Sequence, residues 1–142
     1  MRSPATALVA ANEADRAGHD SVRKMARCLI QTTRLLRERL GWAPDEIVTT
    51  FQSRFGPKEW LQPYTVEHVA ELAKQGKKHI AVMAPGFSAD CVETLEEINE
   101  EIKEAFEHAG GERFDYIPCL NDDEAHIDMI EAILDVELTG WV

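Results

Sequence analysis

The stretch IAVMAPGFSADCVETLEEINEEIKEAFEH, residues 80–108, decides the fold of this chain. Its first five residues form an apolar run that predicts a buried β-strand. The run ends at Pro85 and Gly86, which mark a turn, and residues 94–108 then show the apolar spacing of a helix. A strand, a tight turn and a helix N-terminus form the part of an α/β fold where ligands usually bind. We therefore expect a functional site at this turn.

The predicted helix is acidic and carries Glu93, Glu97 and Glu101 at steps of four. Residues four apart lie above one another on one helix face, so these carboxylates form a ladder that leads away from the pocket and could guide a cation. Two plainer interpretations stay open. Asp90 and Glu93 have the spacing of a capping box, and the ladder also fits a solvated helix face.

Strands and helices alternate on both sides of this stretch. Such alternation predicts parallel βαβ units, and hence an α/β fold with a Rossmann-like or flavodoxin-like sheet of about three to four strands flanked by helices. The patterns predict helices over residues 21–40, from Thr65 to Gly76 and after residues 121–123, and strands over residues 47–51 and 113–118. The last helix is expected to turn Ile127, Ile130, Ile133 and Leu134 inward.

A loop of 13 residues, 52–64, follows the first of these predicted strands. It contains three aromatic residues together with Arg54 and Lys58, and loops of this length inside a compact domain are usually functional. Aromatic groups beside a cation suit a flat, hydrophobic ligand that bears carboxylates. The alternative is that Phe55 and Trp60 simply fill the core.

Composition excludes several classes of function. The net charge of −11 argues against non-specific binding of nucleic acid, which needs Lys and Arg facing phosphates. No GxGxxG or Walker motif supports a nucleotide site, and the three cysteines are too far apart for a zinc or iron–sulfur site built from this chain alone. No apolar run approaches the roughly 20 residues of a membrane span. These features predict a cytoplasmic protein in a reducing compartment.

The first 17 residues contain a short apolar piece followed at once by acidic residues, which is too weak a pattern for a secretory signal. We interpret them as a frayed or variable arm. The predicted domain organisation is therefore an arm over residues 1–20 and one α/β domain over residues 21–142.

Several motifs, in this order, resemble ferrochelatase, the family that inserts ferrous iron into protoporphyrin IX in the last step of haem synthesis. The motifs are FQSRFG (51–56), WLQPY (60–64), PGFSADCVETLEEI (85–98), GGERF (110–114) and IPCLND (117–122). The resemblance covers residues 21–138 and concerns the C-terminal half of the family. The Ser-Ala-His-Gly-type motif with the family's catalytic His has no counterpart in this sequence.

The resemblance implies a role for individual residues. Glu93 matches the active-site glutamate, and Glu97 and Glu101 match acidic positions that lead the metal inward. Ser53, Arg54, Trp60 and Phe87 fall at porphyrin-binding positions. Cys91 stands where some relatives have His, and the iron–sulfur cysteines of some members are missing.

By resemblance the chain is therefore expected to be a ferrochelatase-like lyase, a porphyrin metal chelatase, in the form of an incomplete fragment. Its expected ligands are protoporphyrin IX and Fe²⁺ as the substrate metal, with no organic cofactor and no iron–sulfur cluster. A missing N-terminal half or self-association would complete it, and any membrane contact would be peripheral. The alternative is a non-catalytic half-domain that binds porphyrin or metal and needs a partner chain.

Overall fold

The fold is a four-stranded parallel sheet with helices on both faces, as the alternation of patterns predicts. The computed structural model describes residues 6–12, 19–53 and 61–141. Its strands are β1 (Thr6–Asn12), β2 (Ile47–Gln52), β3 (His79–Met83) and β4 (Arg113–Ile117). Its helical elements are α1 (His19–Leu40), α2 (Thr65–Lys74), a π-helical segment (Glu93–Ile102), α3 (Lys103–His108) and α4 (Glu124–Glu137).

The strand order is β2-β1-β3-β4, and every neighbouring pair runs parallel. This is the flavodoxin-like order. From β1 the chain adds β2 on one side of the sheet and then β3 and β4 on the other, so the strand order reverses between β1 and β3. Ligands in such folds bind outside the carboxyl ends of the strands at that reversal. The end of β2 and the turn after β3 both lie at this edge of the sheet.

The expectation of a frayed N-terminal arm is wrong for Thr6–Asn12, because this segment forms β1 in the interior of the sheet. Leu8 pairs in register with Val48 on one side and with Val82 on the other. Leu8, Val9 and Ala10 are fully buried. A short, alanine-rich run has little periodicity of its own, and it becomes a strand here because two neighbours satisfy its backbone groups.

The main core lies between the sheet and the helices α2 and α3 with the π segment. Alternate residues of the strands point to this face, and Phe106 and Ile98 are fully buried against them. The opposite face of β2 packs on α1, where Ala26 and Leu29 meet Phe51. The polar pair of buried Thr33 and half-buried Thr49, with Oγ1 atoms 2.6 Å apart, joins α1 to β2.

The acidic helix differs from the expectation of one α-helix over residues 94–108. Its first ten residues are π-helical, and only Lys103–His108 is α-helical. In the π segment the residues Thr94, Ile98 and Ile102 are buried, at steps of four. A π-helix closes i→i+5 hydrogen bonds, so its turns are wider and a step of four falls short of one full turn.

The predicted inward face of α4 is also wrong. Ile127, Ile133 and Leu134 are about half exposed, Ile130 is half-buried, and only His126 of this helix is fully buried. The amphipathic pattern is real, but nothing in the described part of the chain covers its apolar side. No helix among the described residues is long and apolar enough to cross a bilayer.

Candidate functional site

The candidate site lies where the end of β2 meets the π segment. Gln52 is the last residue of β2 and is 7% exposed. Its Nε2 donates to the backbone carbonyl of Glu93 at 2.9 Å and lies 3.4 Å from Oε2 of Glu97. The side chain thus ties the carboxyl end of the strand to the first turns of the acidic segment.

Ser53 continues this contact, since its Oγ donates to Oε2 of Glu97. The backbone of Ser53 has φ of 60°, in the left-handed region that non-glycine residues rarely adopt. Such backbone conformations cluster at functional sites. The turn brings the hydroxyl of Ser53 to the carboxylate of Glu97.

A cavity of about 390 Å³ opens beside this contact. Three carboxylates line it, Glu97 and Glu101 from the π segment and Glu67 from the first turn of α2. No Lys or Arg is among the described residues that line it, so the cavity has a negative potential that attracts cations. The remaining lining residues are Phe51, Gln52, Ser53, Tyr64, Thr65, Val66 and Ile102.

The structure brings together only some of the predicted site residues. Glu97, Glu101 and Ser53 share the cavity, whereas Glu93 and Phe87 are not among its lining residues. Phe87 is half-buried and packs on the main core. Within the described residues, no three His, Cys, Asp or Glu side chains are close enough to hold a metal ion together. The ladder is therefore a series of separate carboxylates. Arg54 and Trp60 lie outside the described residues.

Glu93 has a different environment from the one its expected role suggests. A proton acceptor in an apolar pocket would have a raised pKa. Here a hydrogen bond from the Cys91 side chain, followed by one from the backbone of Glu93 itself, lowers the pKa of the Glu93 carboxyl. The side chain is partly open to solvent, so burial opposes this only weakly. Glu93 is accordingly ionised at neutral pH.

Asp90 anchors the turn that precedes the π segment. Its carboxylate accepts hydrogen bonds from Thr94 Oγ1 at 3.1 Å, from Asn121 Nδ2 at 2.8 Å and from the Tyr116 hydroxyl. The bond from Asn121, the largest cause, and that from Tyr116 hold the pKa of Asp90 well below its usual range. Burial, and then the bond to Asp90, raise the pKa of Tyr116.

The capping-box interpretation of Asp90 and Glu93 is wrong. The π segment begins after Val92, which makes no side-chain cap hydrogen bond. Thr94 Oγ1 instead accepts from the backbone N–H of Cys91 at 2.9 Å. The Asp90 carboxylate instead bonds to the Thr94 hydroxyl, to Tyr116 on β4 and to Asn121 in the loop after β4. The local spacing cannot reveal the two partners that are distant in the sequence.

Sequence reasoning missed Gln52 and Glu67. Gln52 lies inside the FQSRFG motif, and its position at the end of a predicted strand is the signal that singles it out. Glu67 carries no such signal, because it enters the cavity only through the packing of α2 beside the π segment. Oε1 of Gln52 is buried and has no hydrogen-bond partner among the described residues.

Fold and site together define the class of this protein. It is an α/β protein in which the acidic π segment lies at the carboxyl ends of the strands, and residues at the end of β2 hold this segment by hydrogen bonds. The chain belongs to the ferrochelatase family, since the family model for ferrochelatase matches residues 17–138. The ferrochelatase of Rhodobacter capsulatus is 67% identical over 112 residues, and that of Mesorhizobium japonicum is 58% identical over 117 residues. The matches cover 79% and 82% of this chain.

The chain spans about a third of the length of these relatives, 32% of the first and 33% of the second. A solved structure with the same fold is the putative cobalamin (vitamin B12) biosynthesis protein CbiX of Marinobacter aquaeolei. It has a TM-score of 0.56 and 13% identity, over 94% of this chain and 98% of that one. At this identity the likeness concerns the fold alone.

Proposed function

We propose that this chain supplies the metal-handling part of a ferrochelatase site, which inserts Fe²⁺ into protoporphyrin IX to give protohaem. Membership of the ferrochelatase family supports the reaction class. The observation that carries the proposal is Glu97, which Ser53 and Gln52 hold at the edge of a cavity that Glu101 and Glu67 also line. Carboxylate oxygens are hard ligands that suit weak, transferable binding of a divalent cation.

We assign the roles by asking which charges move when the metal enters the porphyrin. Insertion replaces two pyrrole protons by one Fe²⁺, so a base must accept protons near the macrocycle. Glu93 takes this role because it matches the family's active-site glutamate. Its lowered pKa keeps the carboxylate deprotonated at neutral pH but makes it a weaker base, so a bound porphyrin would have to shield it from water to strengthen it. Glu97 and Glu101 pass the metal along the π segment one carboxylate at a time, with Glu93 as its innermost contact. No resident organic cofactor or iron–sulfur cluster is part of the proposal.

Porphyrin contact is assigned to Ser53, Arg54, Trp60 and Phe87. A cationic Arg54 would pair with a propionate of the porphyrin, and aromatic and apolar side chains would pack on the ring. Ser53 bonds to Glu97, so a porphyrin in contact with Ser53 would lie beside that carboxylate. A cytoplasmic location and peripheral membrane contact at most stay predictions.

The test is anaerobic metal insertion by the purified chain, followed as the loss of protoporphyrin IX fluorescence with ferrous iron against a protein-free blank. We expect insertion above the blank and a loss of about 100-fold or more in Glu93→Gln, the usual scale of acid–base catalysis. Glu100→Gln is the matched control, because Glu100 is exposed on the same segment and outside the cavity lining. Full activity of Glu93→Gln would contradict the central role.

A second candidate function is a half-domain that binds porphyrin or metal without turnover. The short length of the chain relative to its relatives favours it. Bound porphyrin without insertion would identify this case. Activity restored by adding the remaining two thirds of the Rhodobacter capsulatus ferrochelatase as a separate chain would show that the partner supplies the missing half of the site.

A further inference from the structure

The side chain of Gln52 carries a buried oxygen atom that no group in the described part of the chain satisfies. Gln52 is 7% exposed and lines the cavity that Glu97 and Glu101 also line. Its Oε1 atom has no hydrogen-bond partner among the described residues. An unpaired buried carbonyl oxygen costs free energy, and native proteins keep few such groups. This oxygen is therefore a candidate for contact with a bound ligand.

The hydrogen bonds of Gln52 fix the orientation of its amide group. Nε2 donates to the backbone carbonyl of Glu93 at 2.9 Å and lies 3.4 Å from Oε2 of Glu97. Both neighbours are acceptors, so the reversed amide would place Oε1 against two other oxygens and lose both contacts. The amide is thus held with its nitrogen on the π segment and its oxygen directed away from these two acceptors.

The charges around this oxygen favour a cation as its ligand. The carboxylates of Glu67, Glu97 and Glu101 line the cavity, and no Lys or Arg is among its described lining residues. Such a set has a negative potential that attracts cations. An amide oxygen is a hard, neutral ligand that divalent cations accept together with carboxylates. A divalent cation therefore satisfies both the unpaired oxygen and the excess of negative charge.

The carboxylates of this cavity need neutral oxygens beside them to bind a metal ion. Over the described ranges, no three His, Cys, Asp or Glu side chains come close enough to hold a metal together. The hydroxyl of Ser53 already donates to Glu97, and that of Thr65 donates to Thr50 at 3.0 Å. Oε1 of Gln52 is the buried side-chain oxygen of the described lining that has no partner.

We propose that Oε1 of Gln52 is a ligand of the divalent cation in this cavity, next to the carboxylate of Glu97. This rests on the proposed function, in which Glu97 passes the metal toward Glu93. Gln52 contacts the Glu97 carboxylate and the Glu93 backbone, so a metal on its oxygen is held beside the first turns of the π segment. The amide adds a ligand without adding charge. It therefore binds the metal more weakly than a further carboxylate would, which favours release to the next ligand.

Titration of the full chain with Mn²⁺ tests the proposal, with the free ion followed by electron paramagnetic resonance. Gln52→Met removes the amide and keeps a side chain of similar length. We expect it to weaken Mn²⁺ binding about tenfold or more, the usual scale for losing a group that supports a metal site. Gln31→Met is the matched control and should bind Mn²⁺ like the original chain, because Gln31 is exposed on α1 and outside the cavity lining.

A second comparison separates a metal ligand from a residue that only positions Glu97. In a chain that already carries Glu97→Ala, the contact between Gln52 and the Glu97 carboxylate is absent. A ligand should still matter there, so adding Gln52→Met should weaken Mn²⁺ binding further, by about threefold or more. No further effect would mean that Gln52 acts only through Glu97, and the proposal would be wrong.

A signal from the unaltered chain keeps the test independent of how the variants fold, which circular dichroism checks. Mg²⁺ is diamagnetic and binds oxygen ligands of the same kind. In a chain with carbon-13 in its glutamine side chains, saturating Mg²⁺ should shift the Cδ resonance of Gln52 and leave that of Gln31 in place. A Gln52 resonance that does not move overturns the proposal.

These outcomes are distinct from those of the metal-insertion test. Mn²⁺ binding that Gln52→Met leaves unchanged overturns the role of Gln52 alone, and the carboxylates keep their proposed roles. A chain that binds neither Mn²⁺ nor Mg²⁺ overturns this inference together with the metal-handling function. Metal binding that depends on Gln52 in a chain without insertion activity supports Gln52 as a ligand and favours the half-domain that binds without turnover.

Discussion

At the scale of single residues, the start of the π segment depends on Asp90. Its carboxylate lies within hydrogen-bonding distance of Thr94, Asn121 and Tyr116, and also 3.3 Å from the backbone nitrogen of Cys119. Several donors around one carboxylate stabilise its charged form, which is why its pKa falls. Asn121 suits its place in this network, because asparagine tolerates its positive φ of 50° better than most residues.

Asp90→Asn is expected to lower the free energy of unfolding at pH 7 by about 1–3 kcal/mol, because the new amide N–H faces donors and leaves buried groups unpaired. A group with a depressed folded pKa contributes its stability above its unfolded pKa and loses it as the pH falls through the folded value. The deficit of Asp90→Asn should therefore shrink below about pH 4, near the unfolded pKa of Asp.

Urea unfolding at several pH values measures this difference. Asp128→Asn is the matched control, since Asp128 is exposed on α4 and makes none of these bonds. A deficit that stays constant down to pH 2 would mean that the carboxylate charge of Asp90 is not what stabilises the turn.

At the scale of elements, the turn that ends α3 packs closely against a buried side chain of the same helix. Gly110 has a φ of 102°, and the backbone N–H of Gly111 donates to the carbonyl of Phe106 at 2.9 Å. This is the pattern of a Schellman C-cap, which reverses the chain into β4. The ring of Phe106 is fully buried and lies against Gly111, where a Cβ atom would come within 2.1 Å of it.

Gly111→Ala is expected to destabilise the fold by about 1–3 kcal/mol, because Phe106 cannot move away from the new methyl group without disturbing the core. Gly86→Ala is the matched control, since a Cβ there meets its nearest atom, on Leu29, at 3.4 Å. Thermal unfolding of the two variants side by side measures the effect. Equal melting temperatures of the two variants would show that Phe106 moves away from the new methyl group without destabilising the core.

At the scale of the whole molecule, β1 joins the two halves of the sheet. It lies between β2 and β3, and its side chains contribute to the main core. The family model begins to match only at residue 17, so this strand lies outside the part of the chain that carries the family pattern. The sheet nevertheless depends on it, because without β1 the edges of β2 and β3 would have no common partner.

Leu8→Ala is expected to cost about 2–5 kcal/mol, the usual range for deleting a fully buried leucine side chain. Val136→Ala, at a position 72% exposed on α4, should stay within about 0.5 kcal/mol of the original chain. Chemical unfolding at low protein concentration gives both values. A negligible effect of Leu8→Ala on the free energy of unfolding would support the earlier interpretation of residues 6–12 as part of an N-terminal arm.

The sequence by itself determined the order of helices and strands from α1 onward, the parallel α/β class, the acidic segment and the family. These features are local, because apolar spacing and turn residues act within a few positions of each other. The spacing of four singles out Glu97 and Glu101, motif resemblance adds Ser53, and the structure brings the three residues to one cavity.

Only the tertiary structure decided that residues 6–12 form an interior strand, that Gln52 and Glu67 join the site, and that Asp90 bonds to the loop after β4. It also decided that no other described residue range covers the apolar side of α4. Each of these depends on contacts between residues far apart in the chain or on the lack of them. Burial and hydrogen bonding depend on which surfaces of the folded chain contact each other. A local sequence pattern can therefore predict that α4 has an apolar face, but it cannot predict what covers that face.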